Sequence, residues 1–320
     1  MDETQPAPNA TLGGVSTEDA FAILGDETRL NIIRVLWRAG ALHEYDDIDD
    51  SASTMSFSKL RHCVDIDDNG RFNYHLSKLV PHFVRKTDDG YRLSGAGKRI
   101  ARTVITVSGV YDVEVTGEVG TDCPGCGAPV AATYEDQWLR FSCTRCPGLF
   151  GDVAPDGALL NASFPPSGLA GRTADEALTT ELYQCMLDLT SMMQGVCPEC
   201  ASAVAGDLSV CEDHNAGPDR FCGACGTPFA AWGELRCKTC RFGKRLPVEL
   251  CVLGFGPVIG FLYTQETDVL GLSLDELFDL VRTGVTTTVT ERPLAVTASI
   301  GNGGLTVTVD EQLSVVDVSR

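Results

Sequence analysis

Asp68-Asn69-Gly70-Arg71-Phe72-Asn73-Tyr74-His75-Leu76-Ser77-Lys78-Leu79-Val80 and, after Pro81-His82-Phe83, Val84-Arg85-Lys86-Thr87-Asp88-Asp89-Gly90-Tyr91-Arg92-Leu93 decide how this chain reads. In the first stretch Phe72, Leu76, Leu79 and Val80 recur at i, i+4, i+7 and i+8. They form one buried stripe of a helix that Asp68 or Asn69 can cap. The opposite face carries Arg71, Tyr74, His75 and Lys78, with Asn69 and Asn73 toward its front, all side chains suited to base edges and phosphates. In the second stretch Asp-Gly lies between alternating strands, which signals a hairpin from Val84 to Leu93 carrying Arg85, Lys86 and Arg92.

The charge reverses over the same region. From Met55 to Val104 ten Lys and Arg stand against five Asp, a net +5 in a chain of −19, which leaves −24 for the remainder. A basic surface confined to one part of an acidic protein points to a local polyanion. Upstream, Asp26 caps a helix through Arg38 whose Leu30, Ile33, Leu36 and Trp37 share a face, and Gly40 stops it. Ser58 to Val64 is a short helix, and another runs from Ala96 to Ile105. The order helix, helix, short helix, recognition helix, hairpin, helix is that of a winged helix-turn-helix.

Leu24-Gly25-Asp26-Glu27-Thr28-Arg29-Leu30, followed by Phe72-Asn73-Tyr74-His75-Leu76-Ser77-Lys78-Leu79, resembles the ArsR-type winged-helix transcription regulators over residues 16 to 106. The chain looks in particular like the multidomain versions found in halophilic archaea. The resemblance implies double-stranded DNA as a partner and a homodimer, with the helices at Phe21 and at Ala96 to Ile105 as candidates for the dimer contact. One feature departs from the family. Metal-sensing members carry Cys-x-Cys on the helix before recognition, whereas this chain has Lys59-Leu60-Arg61-His62-Cys63-Val64. A single Cys63 beside His62 cannot make that site, so metal sensing is not carried over and Cys63 reads as a buried small thiol. Tyr74 and His75 have an alternative reading in a dimer contact.

Composition bounds the rest. The 320 residues allow two to three domains. Acidic residues number 44, and of 25 basic residues only six are lysine, a surface suited to a salt-loaded cytoplasm. At molar salt counterion release contributes little to DNA affinity, so hydrogen bonds, apolar contacts and dimer avidity must carry more of it. Residues 1–15 read as a flexible tail with no secretory signal. The uncharged run Leu250 to Tyr263 is fourteen residues with three glycines and a proline, too short to span a bilayer, and reads as core.

Eleven of the fourteen cysteines fall into claws: Cys123/Cys126, Cys143/Cys146, Cys197/Cys200, Cys211/His214, Cys222/Cys225 and Cys237/Cys240. Six two-ligand claws supply three tetrahedral sites, and thiols that stay reduced in the cytosol read as zinc ligands rather than disulfides. The glycines after Cys126 and Cys225 supply the positive φ of a metal knuckle. Sequential pairing is the economical assignment. It places Cys123, Cys126, Cys143 and Cys146 in one site, Cys197, Cys200, Cys211 and His214 in a second, and Cys222, Cys225, Cys237 and Cys240 in a third. An interleaved arrangement of the last four claws, first with third and second with fourth, stays open, as do a surface role for His214 and iron in a four-cysteine site. Closed four-ligand sites are structural. Cys185 and Cys251 fall on apolar faces and read as core.

Thr173-Ala174-Asp175-Glu176 is a capping box opening a helix to about Gln194 with the stripe Leu178, Leu182, Met186, Leu189 and Met193. Such a helix can link domains, pair with its copy or pack on the ribbons. Ser273-Leu274-Asp275-Glu276 opens a short helix, and four strands follow between Thr286 and Val318, two of them joined at Asn302-Gly303. The expected fold is therefore α+β and multidomain: flexible tail 1–15, winged helix-turn-helix 16–106, zinc ribbon 107–172, connecting helix 173–196, double zinc-binding module 197–250 and α+β C-terminal domain 251–320. No phosphate loop, nucleophile elbow or His-Glu-x-x-His is present, which argues against an enzyme. The expected function is a cytoplasmic, sequence-specific transcription regulator whose zinc-stabilised C-terminal module oligomerises or senses an effector ligand. The alternatives are a zinc-ribbon adaptor whose winged helix binds protein, and a thiol redox sensor.

Overall fold

In the computed structural model, short polar side chains open the first four helices by accepting backbone N–H groups that the helix itself leaves unpaired. Ser16 accepts from Asp19 ahead of α1 (Thr17–Leu24). Asp26 accepts from Arg29 at 3.0 Å ahead of α2 (Glu27–Gly40). Ser56 accepts from Lys59 ahead of α3 (Phe57–Val64), and Asp68 from Arg71 ahead of α4 (Asn69–Leu79). Val80 takes an extended conformation (φ −86°, ψ 134°), as a residue before proline prefers, and α4 ends there. The structure describes residues 16–40, 54–107, 115–151, 154–216 and 221–320, and the tail expected over 1–15 lies outside them. The chain is mixed α+β with several sheets and divides into two compact units, Met1–Gly109 and Val110–Arg320.

In the first unit α4 is followed by the antiparallel pair β1 (Val84–Thr87) and β2 (Gly90–Leu93), then by α5 (Gly95–Val107). Thr87 pairs with Gly90, so the two-residue turn is Asp88-Asp89 and Gly90 already belongs to the strand, one residue away from the expected Asp-Gly turn. The cause is Met55, which exchanges two backbone hydrogen bonds with Tyr91 at 2.9 and 2.8 Å. A Cβ on Gly90, at φ +150°, would come within 2.2 Å of the Met55 carbonyl oxygen. The core is the expected stripe of α4, Phe72, Leu76 and Leu79, packed with Ile32, Ile33 and Leu36 of α2, Leu60 of α3 and Val84 of β1. Phe57 meets Phe72 edge-on at 5.0 Å.

The second unit starts with a four-stranded antiparallel sheet in the order β3 (Thr116–Asp122), β4 (Pro129–Glu135), β5 (Trp138–Cys143), β6 (Ala158–Ser163). The one-turn α6 (Pro166–Leu169) leads to α7 (Ala174–Met193), which opens with the expected capping box between Thr173 and Glu176. A three-stranded sheet of β7 (Val204–Val210), β8 (Ala231–Cys237) and β9 (Gly243–Pro247) follows. The run from Leu250 to Tyr263 folds into the end of α8 (Val248–Cys251) and most of α9 (Gly256–Thr264). After α10 (Leu274–Asp279), β10 (Val285–Glu291), β11 (Leu294–Ile300), β12 (Leu305–Asp310) and β13 (Val315–Ser319) form an antiparallel meander.

The segments read in sequence as ribbon, connecting helix, double zinc module and C-terminal domain share one hydrophobic core. Val130 and Phe141 of the first sheet, Leu182 and Leu189 of α7, Leu235 of β8, Leu253, and Val296 and Ile300 of the meander all belong to it. Helix α7 is thus embedded within a single unit, with Leu178, Leu182, Met186, Leu189 and Met192 buried. Met193, the expected end of the stripe, is half-buried against the same core, and its neighbour Met192 is fully buried beside it. Among the described residues no helix is long and apolar enough to cross a membrane.

Candidate functional site: a basic helix and hairpin, and three thiol clusters

The packing of α4 leaves one side to solvent. Asn69, Arg71, Asn73, Tyr74 and Lys78 are exposed there, and Lys78 Nζ lies 5.7 Å from the centre of the Tyr74 ring. On the hairpin Arg85 and Lys86 are exposed, while Arg92, opposite Arg85 in the register, is half-buried. His75 departs from the expected face. It is buried, 8% exposed, with Nδ1 3.2 Å from Asp26 Oδ1, because it sits next to Leu76 on the flank of the apolar stripe and α2 covers that flank. Burial works against the Asp26 carboxylate, but the Arg29 N–H and then the charges of His75 and Arg29 hold its pKa below the ordinary value. Arg61 donates to the carbonyls of Ile66 and Asp67, both at 2.8 Å, so this basic residue braces the turn between α3 and α4. Cys63, expected to be buried, is exposed: the core side of α3 is set by Leu60 and Val64, and Cys63 falls beside it.

In the second unit the structure gathers all twelve expected ligands into three groups of four: Cys123, Cys126, Cys143 and Cys146; Cys197, Cys200, Cys237 and Cys240; Cys211, His214, Cys222 and Cys225. Within each group the ligand atoms lie within 4.8 Å of one another. The first group is the expected one. The other two are neither sequential nor interleaved but nested, with the first claw on the fourth and the second on the third. The sheet dictates this. In the antiparallel pair β7–β8, Val204 faces Cys237 and Val210 faces Ala231. The claw before β7 therefore meets the claw at the end of β8, and the two claws in the connection between the strands meet each other. Pairing 204–210 with 231–237 fixes the grouping, a strand neighbourhood that the cysteine spacing alone does not show.

The distances within the clusters are compatible with a tetrahedral metal site. The sulfurs of Cys123 and Cys146 are 3.6 Å apart, those of Cys126 and Cys143 3.4 Å, of Cys197 and Cys240 3.6 Å, and of Cys200 and Cys237 3.5 Å. A disulfide is about 2.05 Å, and a tetrahedron with zinc–sulfur bonds of about 2.3 Å has edges of about 3.8 Å. His214 Nδ1 completes the third group, 3.7 Å from Cys225 Sγ. Four of the six claws share one backbone turn. Gly127 (φ +67°), Gly226 (φ +69°), Ala201 (φ +60°) and Arg241 (φ +65°) follow the second cysteine of their claws in the left-handed region. Only two of the four are glycine, although the conformation favours it.

Backbone N–H groups of the turns point at sulfur: Cys146 at Cys143, Thr239 at Cys237 and Ala224 at Cys222, at 3.2 to 3.3 Å. The thiol acidities follow. Burial raises the Cys126 pKa, but the Ala128 N–H and then Cys143, Cys146 and Arg145 bring it down to about 6. At Cys237 burial is likewise outweighed by the N–H groups of Cys240 and Thr239, giving about 6. The Asn215 N–H leads the lowering of Cys222 to about 7. In the first and second groups the partners Cys146 and Cys240 are pushed upward, Cys146 first by burial, and both by hydrogen bonds to neighbouring thiols. Each group therefore stabilises a first thiolate readily and further ones poorly until a cation shares the site, which is the donor set a thiophilic divalent ion such as zinc fits. Cys251 is buried among apolar residues as expected, but Cys185 is only half-buried and adjoins Lys244, Glu181 and Asp188, a polar group that the sequence reading missed.

Residues 120–315 match the family described as Domain of unknown function (DUF7351), a span that contains all three thiol groups. Residues 17–104 match the one described as Domain of unknown function (DUF7347). Among curated proteins there is no match.

Proposed function

The chain belongs to the DUF7351 family, and we propose that it is a sequence-specific, DNA-binding transcription regulator with a zinc-stabilised regulatory unit. The observation that carries the reading is the exposed face of α4, where Asn69, Arg71, Asn73, Tyr74 and Lys78 stand together, with Arg85 and Lys86 exposed on β1 of the adjacent hairpin. In this reading α4 is the recognition helix of an ArsR-like winged helix-turn-helix. Arg71 and the asparagines reach base edges in the major groove, Lys78 takes a phosphate, and the hairpin is the wing. His75 packs the helix against α2 and contributes no direct contact. Zinc is the metal assigned to the three thiol groups, where its role is to hold the fold.

Dimerisation is part of the proposal. Phe21 of α1 is 73% exposed, and Val104, Ile105 and Val107 of α5 are 43 to 46% exposed, an amount of bare apolar surface that a second copy would cover. Sequence selection from genomic fragments in molar KCl tests the reading, comparing the intact protein with an Arg71→Ala, Lys78→Ala double variant. Enrichment of one motif by the intact protein and its loss in the variant are expected, and a palindromic motif would match a dimer. No enrichment by a folded, zinc-loaded protein would overturn DNA readout in favour of an adaptor that uses α4 to bind protein.

A further inference from the structure

Within the second unit a cavity of about 880 Å³ opens between the ends of β5 and β6, the polar side of α7 and β9. Its size is that of a small-molecule site. Two of the charged groups on its floor satisfy each other: Lys244 Nζ lies 3.1 Å from Asp188 Oδ2, and Gln184 donates to the other oxygen of Asp188 at 2.8 Å. Glu181, two helical turns before Asp188, is different. It lines the cavity and is 3% exposed; among the described residues no side chain hydrogen-bonds to it or pairs closely with it, and the charges of Lys244 and Asp188 act on it from farther off. A carboxyl group so nearly removed from water, with no direct partner, is costly to keep charged. Such a group is retained where something else supplies the partner.

The rest of the lining says what that something carries. Phe150 and Phe242 line the same cavity with apolar ring surface, and Lys244 Nζ lies 5.6 Å from the centre of the Phe242 ring. At the rim Arg172, Arg241 and Arg245 are exposed against the single acid Glu199, a positive mouth on a chain of net charge −19. Arg245 is held over the Trp232 ring at 5.7 Å, and Trp232 in turn packs on Phe150 at 5.7 Å. A simple cation would be repelled at this mouth, and a simple anion would meet the Glu181 carboxylate at the floor.

We propose that this cavity binds a small zwitterion with a guanidinium head and a carboxylate tail, the chemical class of L-arginine. The planar fork of the guanidinium matches both oxygens of Glu181 and stacks on flat aromatic surface, which a compact ammonium does less well. The tail meets the rim arginines. The cavity lies within one unit, and the proposal does not depend on DNA binding.

Isothermal titration of the zinc-loaded full chain tests it with three probes that differ by one group each: L-arginine, agmatine without the carboxylate, and L-citrulline without the charged fork. L-Arginine is expected to bind with one site per chain, and agmatine and L-citrulline each about tenfold or more weaker, the loss of one charge-assisted contact. Glu181→Gln is expected to remove L-arginine binding, with an unchanged metal content showing that the unit is folded. An Arg172→Ala, Arg245→Ala variant, with metal content again showing a folded unit, should bind L-arginine about as weakly as agmatine while leaving agmatine unaffected. Absence of L-arginine binding to the intact chain, equal binding of all three probes, or L-arginine affinity undiminished in both variants would overturn the proposal.

Discussion

The two units of this chain solve the same problem by different means. The first holds a small core, drawn from Ile32 to Ala101, by packing capped helices, the apolar stripe of α4 and a short hairpin, with its single cysteine exposed. The second has a far larger core, yet its first two sheets are pinned by thiol groups at their turns, and those groups draw residues together across as many as 43 positions, from Cys197 to Cys240. In the proposed reading, with zinc in the thiol groups, the stability of the second unit depends on metal and that of the first does not.

Chelation should separate the units most sharply. A structural zinc site contributes about 10–16 kcal/mol of binding free energy, so a strong chelator is expected to unfold β7–β9 and expose its amides while α2 and α4 keep theirs, as read by hydrogen exchange. If α4 loses protection along with β8, the division is wrong. Metal content then sharpens the comparison within the second unit. A Cys197→Ser, Cys240→Ser double variant should lose one ion of three, because nested pairing places both residues in one site. Sequential pairing would remove two, and elemental analysis distinguishes them. The converse strike is at the first unit. Phe72→Ala should cost about 3–5 kcal/mol there, with the metal content unaltered.

Smaller effects follow from single groups. Burial pushes the Glu181 carboxyl up to about 7, with Lys244 opposing and Asp188 adding to the rise. A folded pKa above the unfolded value means that the native state holds the proton more tightly. The associated stability is fully present below about pH 4.5 and is lost as pH rises through 7, about 3 kcal/mol in all. Glu181→Gln should therefore stabilise the second unit above pH 7, and the difference from the parent should shrink on acidification. Thermal unfolding at pH 6 and pH 8 checks it. Glu249, also buried and raised, leaves a residual slope in both proteins. Asp68→Ala, which removes the cap of α4, should cost about 1 kcal/mol in the first unit alone.

Legibility followed the same division. In the first unit periodicity and capping residues suffice for the helix positions, since Asp26, Asp68 and the Phe72–Leu79 stripe act within a few residues of themselves. What escaped there was contact across the chain: Met55 reaching Tyr91, and α2 covering His75. In the second unit the twelve ligands were legible because their chemistry fixes their spacing. Their pairing was not, because it depends on which strands are neighbours. The shared core was missed for a similar reason, since capping boxes and glycine turns mark where elements stop and say nothing of what they pack against. Glu181 and Lys244 were invisible, as an isolated charge on an amphipathic helix reads as surface until a second element closes over it.

The nested ligands also impose an order on synthesis. Like parentheses, the inner pair closes first: its four donors are all in hand once Cys225 has been made, whereas the outer site opens at Cys197 and waits until Cys240. A growing chain can fill the inner site with no part of β8 yet present. Cys237 and Cys240 then complete the outer group last, like a clasp, once β8 has paired with β7.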